Sequence, residues 1–547
     1  MSDDSGFCKG GWNPICWPLV VLAPLALLSG CSDESDEITR VVEKNNGGDA
    51  GTLGSDSGSP INNQDTAECK LPDKNADGTQ TYYKDVFITD EPTSGNQCKK
   101  VQAALEIADK NGATVHFIRG SSHKENFIVN TLFKKLTFVT DFNSSSNLSV
   151  GEAAKNVPAI LTGDEHSQAI MSFDEILQPQ NVPMIEIRDL TFMNAHNATA
   201  IHMIGGYKPM HEDEFNLKLY NVKIQGAKRG LVVDNKARIL ADNLDVAYPD
   251  QAISLGSQTE SEFYGLKIHD MAIYSAKAVF EAIATDSVKI EKALFSNLGS
   301  EESILNIQTN LAWIYGVEFI NNRVVLGSVL QLDLGELFKS DKNQEHRIGN
   351  ILIANNDAAY GSVINYRTAD KATFHNLDIH RNEGEFMNVI SSDGSTAVSS
   401  IINSSITDNG INLVAPHFTA SEAITSVDST DPGYVAVHGT NIYNNLFISG
   451  VENIYGPDNY SIPHCGKSEL GIIYNYGSYI LFPDAFDLNT TDHEQCALAK
   501  GGVAINPWMN NEDGSLGNVG VTGGWKAHLM PDVYQFVTDL YKNTINP

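Results

Sequence analysis

A short unit, apolar–variable–apolar followed by polar turn residues, recurs along the middle of this chain and restricts its fold more than any other feature. It stands as "LTFMN" at Leu190, "VKIQG" at Val222, "LDVAY" at Leu244, "LKIHD" at Leu266, "ALFSN" at Ala293 and "VEFIN" at Val317. It continues as "ILIAN" at Ile351, "LDIHR" at Leu377 and "SITDN" ending at Asn409. Aligning the second apolar residue gives Phe192, Ile224, Val246, Ile268, Phe295, Phe319, Ile353, Ile379 and Ile406, with spacings of 32, 22, 22, 27, 24, 34, 26 and 27. Units of this length cannot bury a core alone and must stack. Alternation within each unit has period two, so the units are strands rather than helical hairpins. The fixed leucine spacing of leucine-rich repeats, which share the period, is absent. The two longer spacings hold the polar insertions "MIGGYKPMHEDEF" and "LGELFKSDKNQEHR".

The pattern predicts an all-β chain, a single-stranded parallel β-helix of roughly a dozen coils, extending about 55–60 Å if each coil rises by one strand spacing. Three residues past the anchor stand Asn322, Asn356, Asn382 and Asn409. Equivalent residues of successive coils stack, so these four are expected to form an amide ladder. The open ends of such a solenoid expose strand edges and need covers. At the N-terminal end, Val101, Ala104, Leu105 and Ala108 recur at helical spacing, and Asn111-Gly112 supplies the stop. A strand from Thr114 to Ile118, Gly120 and an extended "KENFIV" from Lys124 to Val129 follow. This capping helix, Gly turn and strand resemble the entry to the pectate-lyase-like right-handed β-helix superfamily. The resemblance implies a first coil covered by the helix, a ladder at a turn, and relatives that cleave acidic polysaccharides. At the far end the repeat lapses, and 456–547, closing on "PDVYQFVTDLY", reads as a C-terminal cap or small lobe.

The N-terminus is organised differently. An apolar run from Ile15 to Leu28, broken by Pro18 and Pro24, is too short to span a bilayer comfortably and fits a secretory signal. Its end, Leu28-Ser29-Gly30-Cys31, resembles the bacterial lipobox, which implies cleavage before Cys31 and lipidation of its sulfur. Residues 31–68, rich in Gly, Ser, Asn and Asp, read as a tether with a reach of about 35 Å. Ser32 directly after the cysteine points to the outer membrane rather than inner-membrane retention, by resemblance to lipoprotein sorting signals. The expected organisation is therefore 1–30 signal peptide, 31–68 tether, 69–135 N-terminal cap and first coils, 136–455 β-helix and 456–547 cap. The bilayer is one partner, through the acyl anchor.

Removing the signal and lipidating Cys31 leaves Cys69, Cys98, Cys465 and Cys496, an even set in an exported chain. Four cysteines permit three connectivities, and loop-closure entropy favours the local pairs Cys69–Cys98 and Cys465–Cys496. A metal site is the rival reading, without the paired spacing that zinc requires. A net charge of −31 excludes a phosphate-binding surface and hence nucleic acid.

Charged rows are where the coils could carry chemistry. Lys223, Asp245 and Lys267 occupy one outward position in three successive coils, with Glu318 and Asp378 further along; His269, Asp270, Tyr248 and Asp250 are close by. A lysine here is a candidate base for abstracting a proton α to a uronic carboxylate. The alternation of signs favours a solvated ladder of opposite charges instead. The hydrolases of the superfamily carry Asn-Thr-Asp, Asp-Asp and Gly-His-Gly sets, and these do not occur in order. "DKNADG" supplies Asp73, Asn75 and Asp77 as a partial calcium loop whose twelfth position is Lys84 rather than an acid, so a plain turn is favoured. Calcium is the one cofactor the sequence raises. His380, Glu383 and Glu385 in "HRNEGE" form a second metal candidate. The function expected is a surface-anchored, non-enzymatic module binding a glycan, matrix or surface protein, with a polysaccharide lyase or glycoside hydrolase as the alternative.

Overall fold

The computed structural model describes residues 68–69, 77–142, 157–163, 168–176, 182–193, 198–270, 275–335, 345–384, 388–392 and 399–407. It also describes 395, 397 and 409 and strands at 435–438, 441–443, 472–475 and 478–481. Among these, strands pair almost entirely in parallel, each with its equivalent one repeat away, as in a right-handed parallel β-helix. The anchor residues predicted from the repeat lie in one unbroken register: Phe192↔Ile224↔Val246↔Ile268↔Phe295↔Phe319↔Ile353↔Ile379↔Ile406. All nine are at most 1 % exposed. Inward residues of one coil thus pack on those of the next, and Phe295 and Phe319 stack with ring centroids 4.9 Å apart. Burying side chains of this size contributes roughly 1.5–3 kcal/mol each.

Each central coil has one long strand, such as Leu217–Gln225, Arg238–Ala247 or Glu260–His269. The strand bends at a left-handed residue three positions before the anchor. Asp189, Asn221, Asn243, Gly265, Lys292, Gly316, Asn350, Asn376 and Asn403 all have φ between 51° and 67°. Asn, Asp and Gly tolerate this region, where a β-carbon costs other residues about 1 kcal/mol or more. The bend turns the strand's second half onto a new face, so one long strand contributes to two walls. The chain then crosses to a ten-stranded parallel wall that begins at Phe127–Val129 and ends at Asn388–Ser391.

The expected amide ladder is present and buried. Nδ2 of Asn322, Asn356 and Asn382 each donates to Oδ1 of the next asparagine at 2.9 Å. The same Nδ2 groups donate back to the carbonyls of Phe295, Phe319 and Ile353, the preceding anchors. The backbone N–H of each also meets the next Oδ1, at 2.9, 3.0 and 3.1 Å. A second ladder, at the bend itself, joins Asn243 to Asn221 and Asn221 to Asp189.

The N-terminal cover is the helix Val101–Ile107, with Val101, Ala104, Leu105 and Ile107 buried. The "KENFIV" segment is not the single strand expected from sequence. Ser122–Lys124 and Phe127–Val129 belong to different walls. Glu125 between them turns to accept hydrogen bonds from the N–H groups of Val101 and Gln102, capping the helix. Gln102 in turn bonds both backbone groups of Ile128, replacing the neighbour that the first strand of the wall lacks. Cys69 and Cys98 form the disulfide favoured by loop closure. Cys31, Cys465 and Cys496, the signal and the tether lie outside the described residues.

The first insertion leaves the coil as a loop between Gly205 and Leu217 and is held down by ions. Lys208 Nζ and Arg238 Nε each lie 2.7 Å from Glu260, and Lys208 also pairs with Asp286. Beyond residue 409, Val435–His438 and Asn441–Tyr443 add one more level. Within 456–547, Ile472–Asn475 and Ser478–Leu481 pair antiparallel, a departure from the repeat.

Candidate functional site

The charged row read from sequence is in register: Lys223 lies opposite Asp245, and Asp245 opposite Lys267. The same row continues through Leu294, Glu318, Leu352 and Asp378. There the expectation of a solvated face fails, because those four are at most 2 % exposed. Leu294 and Leu352 on this outward position are the apolar residues that such burial requires. The accessible part of the row is therefore the short stretch around Lys223, Asp245 and Lys267.

Asp245 finds its strongest partner off the row. His269 is two residues beyond Lys267 and reaches back across the pleat, placing Nε2 2.9 Å from Asp245 Oδ1. Its Nδ1 lies 2.8 Å from Asp270 Oδ2. Burial disfavours the charged imidazole, but the hydrogen bonds and charges of Asp245 and Asp270 outweigh it and raise its pKa to about 9. Burial likewise pushes the Asp245 carboxyl up, and the His269 hydrogen bond with the charges of His269, Lys223 and Lys267 brings it below its ordinary value. With both ring nitrogens donating to carboxylates, His269 is an imidazolium at neutral pH. It has no lone pair with which to accept a substrate proton. Tyr248, left-handed at φ 55° and 46 % exposed, donates its N–H to the His269 carbonyl at 3.2 Å. The five candidates Lys223, Asp245, Lys267, His269 and Asp270 are thus neighbours, as an ionic cluster.

No group of three or more metal-ligating side chains occurs among the described residues. Asp77 is exposed and accepts from the N–H and Oγ1 of Thr79, a local turn, as favoured from sequence. Asp73, Asn75 and Glu385 lie outside the described residues. His380 is buried. Glu383 bridges to Asp357, and burial first, then the Asp357 charge, raises its carboxyl.

Sequence reasoning missed the outward face before the bend. Two rows run along it, three residues and one residue before the left-handed position. One holds Glu186, Lys218, Leu240, Glu262, Lys289, Trp313 and Arg347 in register. The other holds Arg188, Tyr220, Asp242, Tyr264, Glu291, Tyr315 and Gly349. Cations and anions on these rows balance, Arg188, Lys218, Lys289 and Arg347 against Glu186, Asp242, Glu262 and Glu291. Aromatic residues fall on every second coil; Tyr315 is buried against His375, and each of the other three rings has a cation from an adjacent coil. Arg188 lies 4.6 Å from the Tyr220 centroid, Lys289 4.8 Å from Tyr264 and Arg347 5.9 Å from Trp313. Tyr264 Oη also donates to Glu262 and accepts from Lys289 Nζ, both at 2.5 Å. The signal was in the sequence: "LYNV", "FYGL" and "IYGV" each put a tyrosine before the bend residue.

Neither a protein family nor a curated protein matches this sequence. Among the described residues no helix is long and apolar enough to cross a membrane.

Proposed function

We propose that this chain is a lipid-anchored β-helix of the bacterial cell envelope, held at the outer membrane through Cys31, that acts as a non-enzymatic binding module for an extracellular glycan. One observation supports binding over catalysis. The row best placed for lyase chemistry is closed on itself, with His269 clamped between Asp245 and Asp270 and the flanking lysines beside them. Cleavage of a uronic polysaccharide needs a base free to take a proton; Lys223 and Lys267, the candidates for that role, lie opposite the Asp245 carboxylate, and His269 is held between two carboxylates. The resemblance of the N-terminal cap and repeat to pectate-lyase-like β-helices suggests saccharides as the ligand class, while function resides in sites rather than folds.

The test uses the full-length protein in detergent, applied to an array of bacterial, plant and animal glycans alongside depolymerisation assays on uronic-acid polysaccharides with and without calcium. Saturable binding without product release is expected. Unsaturated products that disappear in Lys223→Ala or Lys267→Ala would overturn the non-enzymatic reading in favour of a lyase. The anchor has its own test: Cys31→Ser should move the protein out of the membrane fraction, and retention there refutes lipid attachment.

A further inference from the structure

The aromatic residues before the bend are spaced by the fold itself. Tyr220 and Tyr264 are two coils apart, and Trp313 is two coils beyond Tyr264. At one strand spacing per coil, successive rings are about 10 Å apart along the solenoid axis, with the Trp313 backbone set about 7 Å to one side of the tyrosine row, a shift that its long indole must span. In a β-1,4-linked glycan, neighbouring pyranoses are turned over relative to each other. The same apolar C–H face therefore recurs at every second sugar, over about the same distance as two coils.

We infer that this face binds a linear, uncharged β-1,4-linked glycan lying parallel to the solenoid axis, with alternate sugars over Tyr220, Tyr264 and Trp313. The inference rests on the glycan-binding reading above and names its ligand class and site. Three observations converge. Trp313 is 40 % exposed on an outward strand position, although an indole there gains nothing from the core. Each of the three rings is held by a cation from an adjacent coil, so little rotamer freedom is lost on binding. The charges between the rings balance, which suits an uncharged chain and gives a polyanion no net attraction on a protein of net charge −31. The intervening carboxylates and amines supply acceptors and donors for equatorial hydroxyls, the mixture of stacking and hydrogen bonding expected of a ligand with apolar faces and polar rims.

Affinity electrophoresis and calorimetry of the full-length protein would test this, with hydroxyethyl cellulose, glucomannan and glycol chitin as polymers and amylose as the α-linked control. At least one β-1,4 polymer should retard the wild type, and amylose should not. With matching oligosaccharides, affinity should climb steeply up to five sugars, the length that reaches all three rings, and then level off. Trp313→Ala should weaken binding at least tenfold, and Tyr264→Phe, which keeps the ring, should leave it within about threefold. Unchanged thermal unfolding of both variants would separate a lost contact from a lost fold. Binding of another glycan that is indifferent to Trp313→Ala and Tyr220→Ala would overturn this inference and leave the glycan-binding reading intact. Failure of every glycan on the array would overturn both.

Discussion

Replacing Asn356 with alanine tests the internal ladder where it is most connected. Asn356 Nδ2 donates to Asn382 Oδ1, Phe319 O and Ala354 O at 2.9, 3.0 and 3.1 Å, and its Oδ1 accepts from the N–H and Nδ2 of Asn322 at 2.9 Å each. The residue is 1 % exposed, so water does not replace these bonds. Asn322 Nδ2 keeps the Phe295 carbonyl, but the Asn322 backbone N–H loses the acceptor given for it. One stranded buried N–H costs about 1–3 kcal/mol, and the other bonds are worth about 0.5–1.5 kcal/mol each, with geometry shared among them. The expected loss is about 4–6 kcal/mol. Urea unfolding followed by far-ultraviolet circular dichroism measures it, and hydrogen exchange should show the Asn322 amide among the most accelerated. Because coils contact only their neighbours, the loss should appear as unfolding of the coils around 322–382 before the N-terminal ones. Asn297 belongs to a less buried row two residues past the anchor, donating to Asp270 at 3.0 Å and accepting from Asn321 at 3.5 Å, and Asn297→Ala should cost under about 1 kcal/mol. A loss below about 1 kcal/mol for Asn356→Ala, or equal losses for the two variants, would refute the claim that the buried ladder holds the coils in register.

Four further outcomes follow from other parts of the fold. His269, raised to about 9, contributes stability that is fully present below its unfolded pKa near 6.5 and is lost as pH rises through 9. The gap corresponds to about 3 kcal/mol at most, so wild type should lose stability between about pH 7 and 9.5 and His269→Gln should not. The buried His346, lowered by burial to about 4, carries the opposite sign; its contribution should fade as pH drops from 6.5 towards 4, and His346→Ala should flatten that arm of the profile. A β-carbon on Gly349 would sit 2.1 Å from His375 Nε2, beneath a ring that is fully buried. Gly349→Ala should therefore cost several kcal/mol by chemical denaturation, and His375→Ala should recover part of it. Cys98→Ser opens a loop with a sequence separation of 29 and should lower stability by about 3–4 kcal/mol in urea, mainly at the N-terminal coils.

What could be read from sequence tracks how little freedom a position has. The nine anchors have no alternative to the core, so apolar identity alone fixed their register, and the four buried asparagines were legible because nothing else satisfies a turn pointing inward. The left-handed row was harder. Its requirement is on the backbone, and Asp189, Asn221, Gly265 and Lys292 meet it with different side chains, so no single residue type marks it. The charged row was placed correctly but its pairing was not. A same-position alignment sees Lys223, Asp245 and Lys267, whereas a pleated sheet also brings the residue two positions on within reach of a long side chain. Asp245 therefore pairs with His269 on the diagonal, and that diagonal makes the carboxylate between the two candidate lysines the centre of an ion cluster. The same reasoning explains why the aromatic face stayed hidden. Its members are divided between two rows, Tyr220 and Tyr264 on one and Trp313 on the other, and skip every second coil, so their order exists along the solenoid axis and not along the chain. The spacing that makes Tyr220, Tyr264 and Trp313 a platform is a property of coil rise, which only the fold supplies.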